Sequence, residues 1–107
     1  MATPYSKYQG GIEAAYVEAS KAAAWLVSHR VPVFSPIAHS HPIALYGKLD
    51  PLDHSIWLPA DSKLMDAAYG LLICMMPGWM ESYGIEFEIK VFKAAEKPIV
   101  FLEWPQP

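Results

Sequence analysis

The sequence predicts an α/β domain built on a parallel sheet with crossover helices. Short apolar runs of strand length, such as Leu71–Met76 and Ile99–Leu102, alternate with stretches in which apolar residues recur every three to four positions. Proline and glycine punctuate the joins, as in Lys97-Pro98 before the last run. Strands alternating with helices imply parallel pairing. The 107 residues form a single domain, 1–107.

The elements follow in order. Ile12 to about His29 reads as a helix, because Ile12, Ala15, Tyr16, Ala19, Ala22, Ala23 and Leu26 share one face. Its alanines suit close packing on a sheet. Val31–Ser35 reads as a short strand, with Pro32 near its start where a missing donor is tolerated. Pro36 to about Asp53 reads as a long loop, and a loop of that length in a small domain serves function or assembly. Pro59–Tyr69 is expected as a second helix, Leu71–Met76 as a buried strand, Ser82–Glu96 as a third helix and Ile99–Leu102 as the last strand.

Composition narrows the function classes. The chain is 53% hydrophobic and 18% charged, enough for a packed core and for surface that a second subunit covers. A net charge of −3 offers no basic field, so a nucleic-acid polymer is not the expected partner. Cys74, the single cysteine, lies in an apolar run and reads as a core residue in a reducing, cytoplasmic compartment. No apolar run is long enough for a membrane helix.

In a parallel α/β sheet, ligands bind beyond the carboxyl ends of the strands. Three polar groups of residues fall at that edge: Tyr5-Ser6, Ser35–His41 and Gly78–Glu88. Glu88 stands out among them. With Ile85 at zero and about 100° per residue, Ile89, Phe92, Ala95 and Glu88 all fall within roughly 80°. Glu86 falls beside Lys90 and reads as an ordinary i,i+4 pair on a wet face. A carboxylate on the apolar stripe must line a polar cleft, find a buried partner or carry a raised pKa. The plain alternative is a boundary glutamate reaching water at the helix rim.

Other features carry paired readings. Ser82-x-Gly84 at a helix start can hold an anion, or Ser82 is simply the N-cap. His39-x-His41, with Asp53, His54 and Asp61 as further possible ligands, could bind a metal, and His39, His41 and Asp61 would then support a metal-dependent hydrolase. Alternatively these histidines bond loop backbone or contact a ligand. Asp61 and Asp66 lie on different faces of the second helix, as cleft residues or as solvated ones. Tyr5, Tyr8, Trp57, Trp79 and Tyr83 offer stacking surface for a base or sugar, or ordinary aromatic packing.

Taken together, these pieces resemble the nucleoside 2-deoxyribosyltransferase family, most closely a small bacterial and phage subgroup known by a domain-of-unknown-function label. The matching stretches are Ala2-Thr3-Pro4-Tyr5-Ser6, Val33–Ile43, Trp57–Asp61 and Pro77-Gly78-Trp79-x-x-Ser82-x-Gly84-x-x-x-Glu88. The resemblance implies a flavodoxin-like (Rossmann-like) three-layer sandwich. It implies that Glu88 is the nucleophile at the sugar C1′, that Asp61 assists it and that Tyr5 lies near the nucleophile or sugar. Ser82 and Gly84 match the 2′-deoxynucleoside 5′-monophosphate N-hydrolases, in which a serine holds the phosphate. Ser35, Pro36, His39, His41 and Trp79 complete the implied substrate site. The implied ligand is a nucleoside or nucleotide, with no cofactor and no metal. A homo-oligomer, dimer or tetramer, is the expected assembly. A non-catalytic nucleotide-binding or sensing protein of the same fold is the alternative.

The family's first strand precedes its Pro-Tyr-Ser motif, and Met1 stands about where that strand ends. The expectation is a first strand that is short or missing, its place filled by upstream residues or by the N-terminus and a partner subunit. Gly70 stands where many members carry aspartate, and Glu86 and Lys90 where the transferases have small residues.

Overall fold

The alanine face of the first helix decides where the chain packs most tightly. In the computed structural model, which describes residues 1–107, α1 (Ile12–Ser28) buries Ala15, Ala19, Ala22 and Leu26. Small side chains let the helix axis approach its neighbours closely, and α1 packs against α2 (Pro36–Gly47). There follow α3 (His54–Ala67), β1 (Leu71–Met75), a single 3₁₀ turn at Trp79–Glu81, α4 (Tyr83–Ala94) and β2 (Ile99–Glu103).

The sheet is parallel, with β1 and β2 in register from Leu71↔Ile99 to Met75↔Glu103. Their close entry depends on Gly70. A Cβ there would lie 2.9 Å from the Pro98 carbonyl oxygen, which accepts the Leu71 N–H at 2.9 Å. On the other edge of β1, Ala2 forms an isolated parallel bridge to Ile73. Its N–H donates to Leu72 O at 2.8 Å and its carbonyl accepts from Cys74 N–H at 3.0 Å. The Met1 ammonium then donates to Phe34 O at 2.7 Å.

β1 is the centre of the molecule because it is covered on both faces, as its near-continuous apolar sequence requires. Leu71 and Ile73 join Ala2, Ile85 and Phe92 in one cluster under α4. Cys74 and Met76 meet Ala22 of α1 in a second, with Tyr8, Leu102 and Trp104 packed against it. Burial pushes the Cys74 thiol up to about 12, with Glu18 adding to the effect. β2 is covered far less: Val100 and Phe101 are exposed.

Two expectations are corrected. Val31–Ser35 forms no strand. Pro32 removes a donor, the Val31 N–H is taken by Leu26 O at 3.0 Å, and Phe34 O accepts from the Met1 ammonium, so no ladder runs along this segment. Pro36–Asp53 is not a loop either, since most of it is α2. Pro36 occupies the first helical turn, where its missing N–H costs nothing, and the Ser35 hydroxyl accepts from Ala38 N–H at 3.2 Å. Pro42 is carried inside the helix at the loss of one hydrogen bond. The second expected helix also starts earlier, at His54, because Asp53 caps it by accepting from Ser55 N–H at 3.0 Å.

Candidate functional site

The N-terminal segment, the start of α2, one face of α3 and the first two turns of α4 enclose a cavity of about 240 Å³. Tyr5, Pro36, Asp61, Ser82, Gly84 and Glu88 all stand on its wall. A second cavity, of about 360 Å³, runs beneath Val31–Phe34 and Leu71–Leu72, and Asp61 and Glu88 line it too. The two carboxylates therefore stand where both cavities meet.

α4 delivers Glu88 through the geometry its sequence dictates. The Ser82 hydroxyl caps the helix by accepting from Ile85 N–H at 3.3 Å. Ile85 and Phe92 are buried, which fixes the helix rotation and turns Glu88 inward. Glu86 faces out and pairs with Lys90 at 3.3 Å. Burial raises the Glu88 carboxyl to about 7; the Met1 ammonium opposes that shift and Asp61 adds to it. Asp61 is raised as well, chiefly by burial, with His39 pulling the other way. Burial in turn lowers the Met1 ammonium, against the pull of Glu88 and Cys74.

The start of α4 is open. Tyr83 and Gly84 are the first two helical residues, and their N–H groups have no intrahelical carbonyl to reach. A Cβ on Gly84 would meet only the Ser82 hydroxyl, at 3.9 Å. The missing side chain thus leaves free volume over the helix start instead of relieving a clash.

The remaining expected residues divide. Trp57 and Tyr83 line the first cavity, Trp57 held by its indole N–H donating to Asp50 O at 2.8 Å. The His54 ring lies 5.7 Å from that of Tyr83. Ser35 is buried as the α2 cap and lines neither cavity. His41 is buried behind Tyr5, whereas His39 is exposed and lies against Phe34. Trp79 packs on the core and against Phe101, away from the cavity. Tyr8 packs beside Cys74 and Met76, and Asp66 is exposed. No three His, Cys, Asp or Glu side chains gather closely enough to hold a metal ion.

Thr3 and His54 also line the cavity, the first read only as part of a motif and the second only as a possible metal ligand, and so do Ser40 and Phe87, to which sequence reasoning gave no role. Ser40 follows Pro36 by one helical turn, a signal hidden while the segment read as a loop. Phe87 escaped notice because its place on the helical wheel pointed to solvent.

A comparison with known protein families matches residues 1–104 to one described as a domain of unknown function, DUF1937. The chain belongs to that family. Among curated proteins none matches it. No helix of this family member is long and apolar enough to cross a membrane.

Proposed function

We propose that this DUF1937 protein cleaves the N-glycosidic bond of a 2′-deoxynucleoside or its 5′-monophosphate, by hydrolysis or by transfer to a second base. The observation that carries the reading is the meeting of Glu88 and Asp61, from two helices, on the wall of one cavity. Loss of the base builds oxocarbenium character at C1′, which a facing carboxylate stabilises and can trap as a glycosyl-enzyme. Glu88 is the nucleophile, and its desolvation sharpens it once the proton has left. Asp61 orients Glu88 and keeps the pair from ionising together. A 5′-phosphate would sit over Gly84, against Ser82 and the free N–H groups of the α4 start.

The same reading places the fold in the flavodoxin-like class, with Val31–Ser35, Met1–Thr3, β1 and β2 side by side between helices. It includes self-association, because Val100, Phe101, Leu45 and Tyr46 remain exposed. Sedimentation velocity checks that part, and a monomer at all concentrations would remove it.

The main test incubates the protein with each deoxynucleoside and each 5′-monophosphate and follows free base by chromatography. Release from one class, lost in Glu88→Gln and rising with pH through about 7, is the expected result. Release that survives Glu88→Gln would overturn the assignment. No release from any substrate, with nucleotide binding retained, would leave a non-catalytic binding protein.

A further inference from the structure

Behind the cavity wall lies a second polar array. His41 is 5% exposed and bonded on both ring nitrogens. Its Nε2 lies 2.8 Å from Glu13 Oε2, and its Nδ1 lies 2.6 Å from the Tyr5 hydroxyl. Tyr16 stacks on the ring, with centroids 4.5 Å apart and planes at 17°, and Tyr5 meets it edge-on. Three separate elements supply the array: α1 gives Glu13 and Tyr16, α2 gives His41, and the N-terminal segment gives Tyr5. At its outer end the Glu13 side chain is 68% exposed, while at its inner end Tyr5 lines the cavity. A buried imidazole clamped in this way has one orientation, and its tautomer follows from its partners.

We propose that His41 and Tyr5, oriented by Glu13, form a proton relay between the buried imidazole and the cavity. Tyr5 is its working end, His41 holds the proton that Tyr5 passes on, and Glu13 is the positioning residue. The Glu13 carboxylate can only accept, so Nε2 carries a hydrogen. When His41 is neutral, Nδ1 accepts from the Tyr5 O–H and the phenol offers lone pairs to the cavity. When His41 is protonated, Nδ1–H donates to the phenol oxygen and the Tyr5 hydrogen turns inward. Burial, and Glu13 after it, raises the Tyr5 pKa, so the group enters either state as a phenol.

This inference rests on the glycosidic reading for its substrate. As the C1′–N bond breaks, its electron pair leaves with the base and Glu88 bonds to C1′. The cycle starts with His41 protonated on both nitrogens: the departing nitrogen takes the Tyr5 proton, the Nδ1 proton moves to the Tyr5 oxygen, and His41 is left neutral with its hydrogen on Nε2. In the second half water bonds to C1′ and Glu88 departs. The water proton goes to Tyr5, whose own proton returns to Nδ1. The relay ends as it began, and one water has been consumed.

Nitrogen-15 NMR of histidine-labelled protein tests the relay without any substrate, with His41→Gln assigning the signals. Above the pH at which His41 gives up its second proton, the expected spectrum has the neutral ring held in the Nε2–H tautomer, with that preference weakened in Glu13→Gln and the Nδ1 signal moved in Tyr5→Phe. A freely averaging imidazole, or a spectrum that neither variant changes, overturns the relay. Kinetics of base release then test its use. Tyr5→Phe should lose about 10²–10⁴-fold in kcat, the span typical of a positioned acid–base group. Glu13→Gln should lower kcat with KM unchanged and shift its pH profile, and its effect should vanish in the Tyr5→Phe background. Additive losses, or a loss in KM alone, would reduce Glu13 to a structural role and overturn the proposal. If the wild type releases no base, the glycosidic reading falls and Tyr5's part in it, while the spectrum still decides the relay.

Discussion

α3 and α4 each bring one carboxylate to the same cavity, yet the two helices are held in opposite ways. α4 buries Ile85 and Phe92 in the main core, at 2% and 3% exposure. α3 has no buried residue at all. Met65 leans on the core, and otherwise polar ties hold the helix: the Asp53 cap at one end and Lys97 at the other. The Lys97 ammonium donates to Met65 O at 3.1 Å, which also accepts from Ala68 N–H at 3.2 Å, and to Asp66 O at 2.7 Å, a carbonyl that the last turn leaves unpaired. Core packing therefore fixes Glu88, whereas hydrogen bonds at the helix ends fix Asp61. A cavity with one rigid and one tethered wall can admit a ligand by a small shift of the tethered side.

The contrast can be broken most sharply by truncating each helix. Phe92→Ala should cost about 3–5 kcal/mol, the cavity-forming loss of a buried aromatic. Leu64→Ala on the half-open face of α3 should cost well under about 1 kcal/mol. Urea unfolding measures both, and similar losses would erase the distinction.

The next effect has the opposite sign. The folded protein holds Glu88 at about 7, above the 4.5 of an unperturbed carboxyl. Between those values the folded state binds more protons than the unfolded one. The Glu88 contribution to stability is therefore best below that window and falls as pH rises through it. Glu88→Gln should remove this slope and stabilise the protein at pH 8 by about 2–3 kcal/mol. Denaturation midpoints at pH 5 and pH 8 decide it, and an unchanged pH dependence in the variant would refute the burial of this charge.

Smaller changes sharpen the picture. Lys97→Met should cost about 1 kcal/mol, the usual worth of a hydrogen-bonded cap. Amide exchange should quicken in the last turn of α3 and stay unaltered in α4. Lys90→Ala, which breaks only the exposed pair with Glu86, should change stability by no more than about 0.5 kcal/mol. A larger loss would mean that the outer face of α4 is not free.

The same division governs what the sequence made legible. Periodicity located α1, β1, α4 and β2, because each has an apolar face that the core selects. It also oriented Glu88, because Ile85 and Phe92 define the buried stripe. α2 was hidden by Pro36 and Pro42, two residues that ordinarily end helices. The decisive clue was local: a serine followed by proline, which caps and starts a helix. The start of α3 was missed for a related reason, since Asp53 sets it and no apolar repeat does. Val31–Ser35 has the composition of a strand, but a strand also needs a neighbour, and sequence composition does not report one. Tyr5 and His41 were both singled out, yet their pairing joins residues 36 positions apart and depends on how α1 and α2 pack.

Cys74 opens a practical route to these questions. Fully buried, with its thiol held near 12, it should be inert toward maleimides at neutral pH. The protein is thus a silent host for engineered cysteines. One placed at exposed Asp66 on α3 and another at Lys90 on α4 would take spectroscopic labels without background. The distance between them would report directly how far the tethered wall travels when a ligand enters.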